Sequence, residues 1–260
     1  MGEEETTVET RRRTASEIFE AAIENARSEL KRSTASPGIS AFAAGLTLGL
    51  TGIGVAAVRA MVGTEPWPEF LAQLLYPTGF IAVIIGRQQL FTENTLYPVV
   101  LALDERGHWM SAARLWAVVF VCNVVGATAF AWLAAHTSAL GPRISTQLFE
   151  MGGTAATGTF AHIFWSGVVG GWVIALVAWL VSASHWTVGQ VVVIWLLTFV
   201  IGAGHFAHCV AGSCEILAAT LAGSVPLMAY LHWLSAATVG NIAGGVMIVS
   251  VLNYAQVRNE

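Results

Sequence analysis

From residue 39 onward, long apolar runs alternate with short polar gaps. Six such runs can be read, at about 39–62, 70–103, 110–135, 160–184, 188–221 and 228–254. Each reaches the roughly 20 residues that a helix needs to cross a bilayer. The second and fifth are too long for one straight span, and both are interrupted by polar residues. "GRQQLFTENTLYP" fills 86–98 and contains Pro98; "HFAHCVAGSCE" fills 205–215. The third and sixth runs echo each other in "NVVGA" at Asn123 and "NIAGG" at Asn241. Three runs per half means that the second half enters the membrane from the opposite side. Broken helices at matched places of two inverted halves mark a transport pathway near the bilayer midplane. The pattern therefore predicts an all-α integral membrane protein, with six transmembrane helices in two inverted three-helix repeats and breaks in the second and fifth.

Ahead of the first run the period changes. Phe19, Ala22, Ile23, Ala26 and Leu30 recur at helical spacing with charges opposite, and Thr14 with Glu17 fits a capping box. This predicts an amphipathic helix over 14–36 that lies on the membrane or beneath the bundle. Residues 1–13 are expected to be a disordered tail, and 37–255 the channel domain.

Composition agrees with a membrane protein. Hydrophobic residues make up 55% of the 260-residue chain and charged residues only 11%, against about 25% charged in soluble domains. The formal net charge of −4 matters less than its placement. Arg11, Arg12, Arg13, Arg27, Lys31 and Arg32 are half of the 12 basic residues, which puts the N-terminus in the cytoplasm. Six spans return the C-terminus there, in a cell (inner) membrane. The first 36 residues lack the apolar run and cleavage site of a secretory signal. Cys122, Cys209 and Cys214 all fall inside spans and predict no disulfide framework. Basic residues interleaved with aromatics are absent, which excludes nucleic acid as a partner.

Polar groups inside the spans are the candidates for function. Irregular backbone at membrane depth must face protein or a water-filled cavity. The new half-helix N-termini near 92–95 and 211–213 offer N–H groups to an anion, with Thr92, Asn94 and Ser213 adding hydrogen bonds. Arg87, Glu93 and Glu215 are charges where charge is costly, and they predict either a pathway or a paired network that pins the two breaks together. His208 lies beside the second break with His205 three residues earlier; either is a structural hydrogen-bonding group or part of the pathway. His162 reads as an entrance group or, preferably, as an end-of-span residue. His205, His208, Cys209 and Cys214 fit no zinc spacing, and no hydrolase or phosphate-loop signature is visible. Neither a metal nor another cofactor is expected.

The ordered set "LFTENT", "HFAHCVAGS", "CNVVGA" and "TVGNIAGGVMI" resembles the formate/nitrite transporter family over about 16–254, and "GRQQLFTENT" resembles a divergent, poorly characterised branch of it. The resemblance implies an aquaporin-like protomer, five of which form a ring with one pore each. It places the central histidine at His208 and the loop threonine at Thr92. It places an outer constriction at Tyr76, Ile174 and Ile201 and an inner one at Phe80, Leu90 and Phe91. There are departures. A lysine lining the family's outer approach falls near Ala155, the fourth-span asparagine falls on Gly171, and two residues after the histidine become Gly212 and Ser213. An acidic residue becomes Gln89. The reading is of a channel or transporter, not an enzyme, for a small monovalent weak-acid anion. It would pass the anion as the neutral acid, with His208 as proton donor and protons and the lipid bilayer as partners. A passive channel for a small neutral solute, an intramembrane metal-dependent enzyme and an occluded sensory protein remain alternatives.

Overall fold

The computed structural model describes residues 11–259; the tail expected at 1–13 lies outside them except for its last three residues. The helix expected over 14–36 is α1, Ala15–Lys31. Thr14 Oγ1 accepts from the Glu17 N–H and the Glu17 carboxylate accepts from the Thr14 N–H, so a capping box starts it. The first span bends at Leu48 into α2 (Ala35–Thr47) and α3 (Gly49–Val62). The second is α4 (Pro66–Gln73) and α5 (Pro77–Ile85), an irregular loop, a 3₁₀ turn at Glu93–Thr95, and α6 (Tyr97–Asp104). α7 (Trp109–His136) is the third.

The connection between the third and fourth runs contains a helix, α8 (Pro142–Ala155), with Pro142 in its first turn. A proline there loses no helical hydrogen bond. α9 (Phe160–Ala183) is the fourth span. α10 (Thr187–Ala203) and α11 (Ala211–Leu221) are the two pieces of the fifth. The sixth is α12 (Leu227–Ala243), a π-helical stretch at Gly244–Val251, and α13 (Leu252–Arg258). Five stretches among the described residues are long and apolar enough to cross a membrane: Ala35–Val62, Pro66–Ile85, Trp109–His136, Phe160–Ala183 and Leu227–Arg258.

The two halves are held by the same set of bonds. In the first, Asn123 Oδ1 accepts from the Phe91 N–H at 2.9 Å, and Asn123 Nδ2 donates to Gln89 O at 3.0 Å and Ala41 O at 2.7 Å. In the second, Asn241 Oδ1 accepts from the Cys209 N–H at 2.8 Å, and Asn241 Nδ2 donates to Ala207 O and Gly167 O, both at 2.8 Å. Each asparagine lies 32 residues beyond the loop N–H and 34 beyond the loop carbonyl that it serves. Ser40 and Ser166 complete the match, accepting from the Gln89 and Ala207 N–H groups at 3.0 and 2.9 Å. The loops thus obtain in the apolar interior the hydrogen bonds that a helix would otherwise supply. The asparagines reach them because the helices touch at glycine. A Cβ on Gly45 would run into the Asn123 carbonyl, and one on Gly171 into that of Asn241.

α1 closes one end of the bundle, here called the near face. Ile18, Phe19, Ala22, Ile23 and Ala26 form a core with Leu96, Val100, Leu101, Ala175, Ala178, Trp179 and Val249. Arg13 donates to Ser182 O, and Arg27 grips Glu105 through Nε at 2.9 Å and Nη2 at 2.7 Å. The side-chain bonds from Arg27 and then from His108 hold the Glu105 carboxyl below the usual carboxylate range.

Two predictions follow from these contacts. Asn123→Leu strands the Phe91 N–H and the Gln89 and Ala41 carbonyls, at a cost of about 2–5 kcal/mol once membrane alternatives are discounted. The thermal midpoint in detergent should drop, and Asn241→Leu should drop it by a similar amount. Glu105 has a depressed folded-state pKa. Its contribution is therefore full above the ordinary carboxylate value and lost as pH falls through the lower folded value. Amide exchange in α1 should accelerate below about pH 4, and Arg27→Ala should flatten that dependence.

Candidate functional site

Both breaks begin in the same way. α5 ends with the Gly86, Arg87 and Gln88 N–H groups returning to Ala82 O, Ile84 O and Val83 O. α10 ends with Gly204, His205 and Phe206 returning to Val200 O, Gly202 O and Ile201 O. Glycine favours the left-handed position in such a helix end, yet Arg87 holds it at φ 54° and His205 at φ 49°. Each loop then turns inward, and the asparagine clamps fix Phe91 and Cys209. Thr92 follows the first clamped residue and His208 precedes the second.

The clamps bring these two side chains together across the halves. His208 Nε2 lies 2.8 Å from Thr92 Oγ1. His208 Nδ1 accepts from the Ala211 N–H at 3.1 Å. An Nδ1 that accepts leaves the ring proton on Nε2, so the hydrogen-bond network assigns the neutral Nε2–H tautomer donating to Thr92. Thr92 then has its own hydroxyl hydrogen to offer. The Thr92 carbonyl accepts from Thr95 Oγ1 at 2.7 Å, and Thr95 O accepts from Ser250 Oγ at 2.8 Å, within the π-helical stretch. His208 and Thr92 are almost wholly buried, at 1% and 0% exposure.

A cavity of about 460 Å³ opens above this pair on the face away from α1, and His208 forms part of its wall. Tyr76, Ile201, His205 and Glu215 line it, as do Arg59, Gln73, His162 and Trp233. On the near face a smaller cavity of about 90 Å³ is lined by Arg87, Gln89, Leu90, Glu93 and Asn94, and by Asn25 and Glu29 of α1. Phe80 belongs to neither wall. It is fully buried, and its ring meets His208 edge-on at 5.0 Å and Tyr76 at 5.7 Å.

The other expected residues divide between these places. Tyr76 and Ile201 face the far cavity, whereas Ile174 is buried outside both walls. Leu90 reaches the near cavity, but Phe91 packs on Phe120 and Trp116 of α7 at 5.0 and 5.8 Å. Asn94 donates to Gln89 Oε1 at 3.0 Å and Leu90 O at 3.1 Å. Ser213 bonds to Cys209 O at 2.5 Å and lies 3.1 Å from the Tyr230 hydroxyl, outside both cavities. His205 is exposed, with Nε2 3.8 Å from Glu69 Oε1. His162, in the first turn of α9, also lines the far cavity.

One expectation is corrected. Arg87, Glu93 and Glu215 do not form one network. Arg87 and Glu93 face the near cavity and Glu215 the far one, with no ion pair among the three in the described residues. The clamped chain sends the two loops to opposite sides of the barrier, so Arg87 cannot pin them together. The Gln89, Phe91, Ala207, Cys209 and Ala211 N–H groups bond to Ser40, Asn123, Ser166, Asn241 and His208 respectively.

Sequence reasoning missed a polar group in the far cavity. Arg59 grips Glu69 with two bonds of 2.7 and 2.6 Å, and Gln73 Nε2 donates to Glu69 Oε1 at 2.6 Å. Gln73 Oε1 is buried without a protein partner. Arg59 and Glu69 are ten residues apart on either side of the "TEPWPE" turn, so opposite charges facing across it were the available signal. Ser40 and Ser166 were missed as well, although "SAFAAG" at 40–45 and "SGVVGG" at 166–171 repeat the serine-to-glycine spacing.

A membrane-spanning helical bundle with two clamped, broken helices, and one polar pair between cavities opening to opposite faces, has the architecture of a channel or transporter. The family model described as Formate/nitrite transporter matches residues 16–255, and the chain belongs to that family. It is 30% identical over 246 residues to the Inner membrane protein YfdC of Escherichia coli (strain K12), covering 94% of this chain and 79% of that one. A Probable formate transporter of Methanothermobacter thermautotrophicus is 29% identical over 240 residues, covering 83% and 86%. Among solved structures, an FNT family ion channel superposes with a TM-score of 0.81 at 19% identity, over 94% of this chain and 99% of that one. A pentameric formate channel with formate bound gives 0.73 at 19% identity, over 87% and 98%.

Proposed function

We propose that the protein carries a small monovalent weak-acid anion across the membrane by passing it as the neutral acid, with His208 as the central proton-donating group. One contact carries this reading: the His208–Thr92 bond at 2.8 Å, standing between two cavities and beside the Phe80 ring. Bare transfer of an anion through an apolar barrier has an idealised cost of order 20 kcal/mol. Protonating a carboxylate of ordinary pKa about 4 at neutral pH costs only about 4 kcal/mol. Neutralisation is the cheaper route by a wide margin. At the barrier the Nε2–H proton of His208 is directed through Thr92, whose hydroxyl hydrogen meets the solute. The formate-related names of the relative and of the solved neighbour support the solute class. The neighbour's pentamer supports five protomers with one pathway each, and the basic N-terminal stretch supports cytoplasmic termini, which makes the near face the inner one.

A second reading has its own observation. The Glu69-bound Arg59 leaves the far approach without a free arginine as a lure, as a passive pore for a neutral solute would be. One experiment separates the two. Purified protein in liposomes is offered formate, nitrite, acetate, lactate and hydrosulfide in turn, with internal pH recorded. Neutral-acid passage predicts one proton moved with each anion. His208→Asn should lower coupled flux by about 10²-fold, and His208→Phe should do the same. Coupling that persists in both variants rejects the role of His208, and flux indifferent to pH in the wild-type protein favours the neutral-solute pore.

A further inference from the structure

Two buried carboxylates stand on opposite sides of the barrier. Glu215, on α11, is 8% exposed and lines the far cavity; Glu93, at the 3₁₀ turn, is 9% exposed and lines the near one. Neither carboxylate has a hydrogen bond or ion pair among the described residues. Buried carboxylates in membrane spans are ordinarily paired or on a proton path. The cation nearest to hand in the far cavity, Arg59, is already held by Glu69 through two bonds. Tyr76, His162 and His205 are the other titratable groups on that cavity, and Cys214 precedes Glu215 on the helix. Around Glu93 they are Arg87, Tyr97 and Glu29. His208 itself is poorly arranged to be reloaded, because the Ala211 N–H occupies the nitrogen at which a second proton would arrive.

We propose that Glu215 and Glu93 are the proton-exchange groups of this pathway, Glu215 charging the solute with a proton in the far cavity and Glu93 removing it in the near one. This rests on the neutral-acid passage proposed above, but assigns the transferred proton to Glu215 in place of His208, whose part is then the hydrogen bond at the barrier. In the far cavity the Glu215 O–H bond breaks as an O–H bond forms on the anion, and water in the open cavity returns a proton to Glu215. The orphan Gln73 Oε1 gives the new O–H a buried acceptor in the same cavity. The neutral acid passes His208, which keeps its Nε2 proton and only hydrogen-bonds. In the near cavity the solute O–H proton moves to the Glu93 carboxylate, the anion leaves, and Glu93 releases the proton to the near-face water. Each step is reversible, and one proton accompanies each anion.

The test uses the full-length protein in liposomes with formate as first probe, replaced by whichever weak acid the solute screen selects. Uptake from the far side is compared at about pH 7, where the acid is nearly all anion, and about pH 4, where a large share is already neutral. Glu215→Gln should slow uptake at least about tenfold at the higher pH and much less at the lower. Glu215→Asp should recover part of the loss, and Glu93→Gln should show the same pH-selective defect. Equal slowing at both pH values with no recovery in Glu215→Asp, or no slowing at all, overturns the assignment. A wild-type protein that moves no proton with any weak acid instead removes the reading beneath it.

Discussion

Irregular backbone cannot persist in an apolar interior unless each of its polar groups is satisfied, and this chain meets that demand with two asparagines. One side chain with one acceptor and two donors serves three backbone groups at once, and a serine from the first helix of each half serves a fourth. The position of the site follows from this. Phe91 and Cys209 are the clamped residues, and Thr92 and His208 are their immediate neighbours. A hydrogen bond of 2.8 Å between two halves of a chain, formed by residues 116 apart, is thus set by two clamps that touch neither side chain. The same clamps satisfy the Phe91 and Cys209 N–H groups, and in doing so they position the polar pair.

The charged groups obey the same geometry. The barrier separates the interior into two compartments, and a buried charge can only act within its own. Arg59 and Glu69 neutralise each other on the far side, through bonds short enough to hold both side chains to the wall. Glu215 remains on the far side, and Arg87 shares the near compartment with Glu93.

Much of the architecture could be read from the chain, because the physical demand and the sequence signal coincide. Overlong apolar runs with polar centres, and asparagines repeated in matched spans, are costly in lipid and so are informative. Thr92 and His208 were each singled out, but their bond to one another was not, since no periodicity relates residues in opposite halves. The αL positions at Arg87 and His205 carried no signal, because glycine marks such turns and neither residue is glycine. α8 was lost in a long connection although Pro142 stood at its start. Arg87 was expected to pair with Glu93 or Glu215; it shares a cavity with Glu93 and not with Glu215, and charge alone says nothing about the side of a barrier. Phe91 and Ile174 were assigned to constrictions by resemblance, and local packing sends Phe91 to α7 and leaves Ile174 within the core.

The symmetry of the scaffold also explains why the barrier holds only one polar pair. Counted from the clamped residues, Thr92 in the first half corresponds to Val210 in the second, and His208 in the second corresponds to Leu90 in the first. Each half therefore contributes one polar and one apolar side chain, at complementary places. Val210 is fully buried and Leu90 nearly so. Polar residues at all four places would offer enough partners to hold a connected water column, through which protons and ions would leak. Apolar residues at all four would leave a solute hydroxyl with no partner at the narrowest point, at a cost of several kcal/mol. One hydrogen-bonded pair, fixed by backbone symmetry and broken in side-chain identity, lies between those failures: it satisfies itself when the route is empty and can exchange partners with a single small polar molecule when it is not.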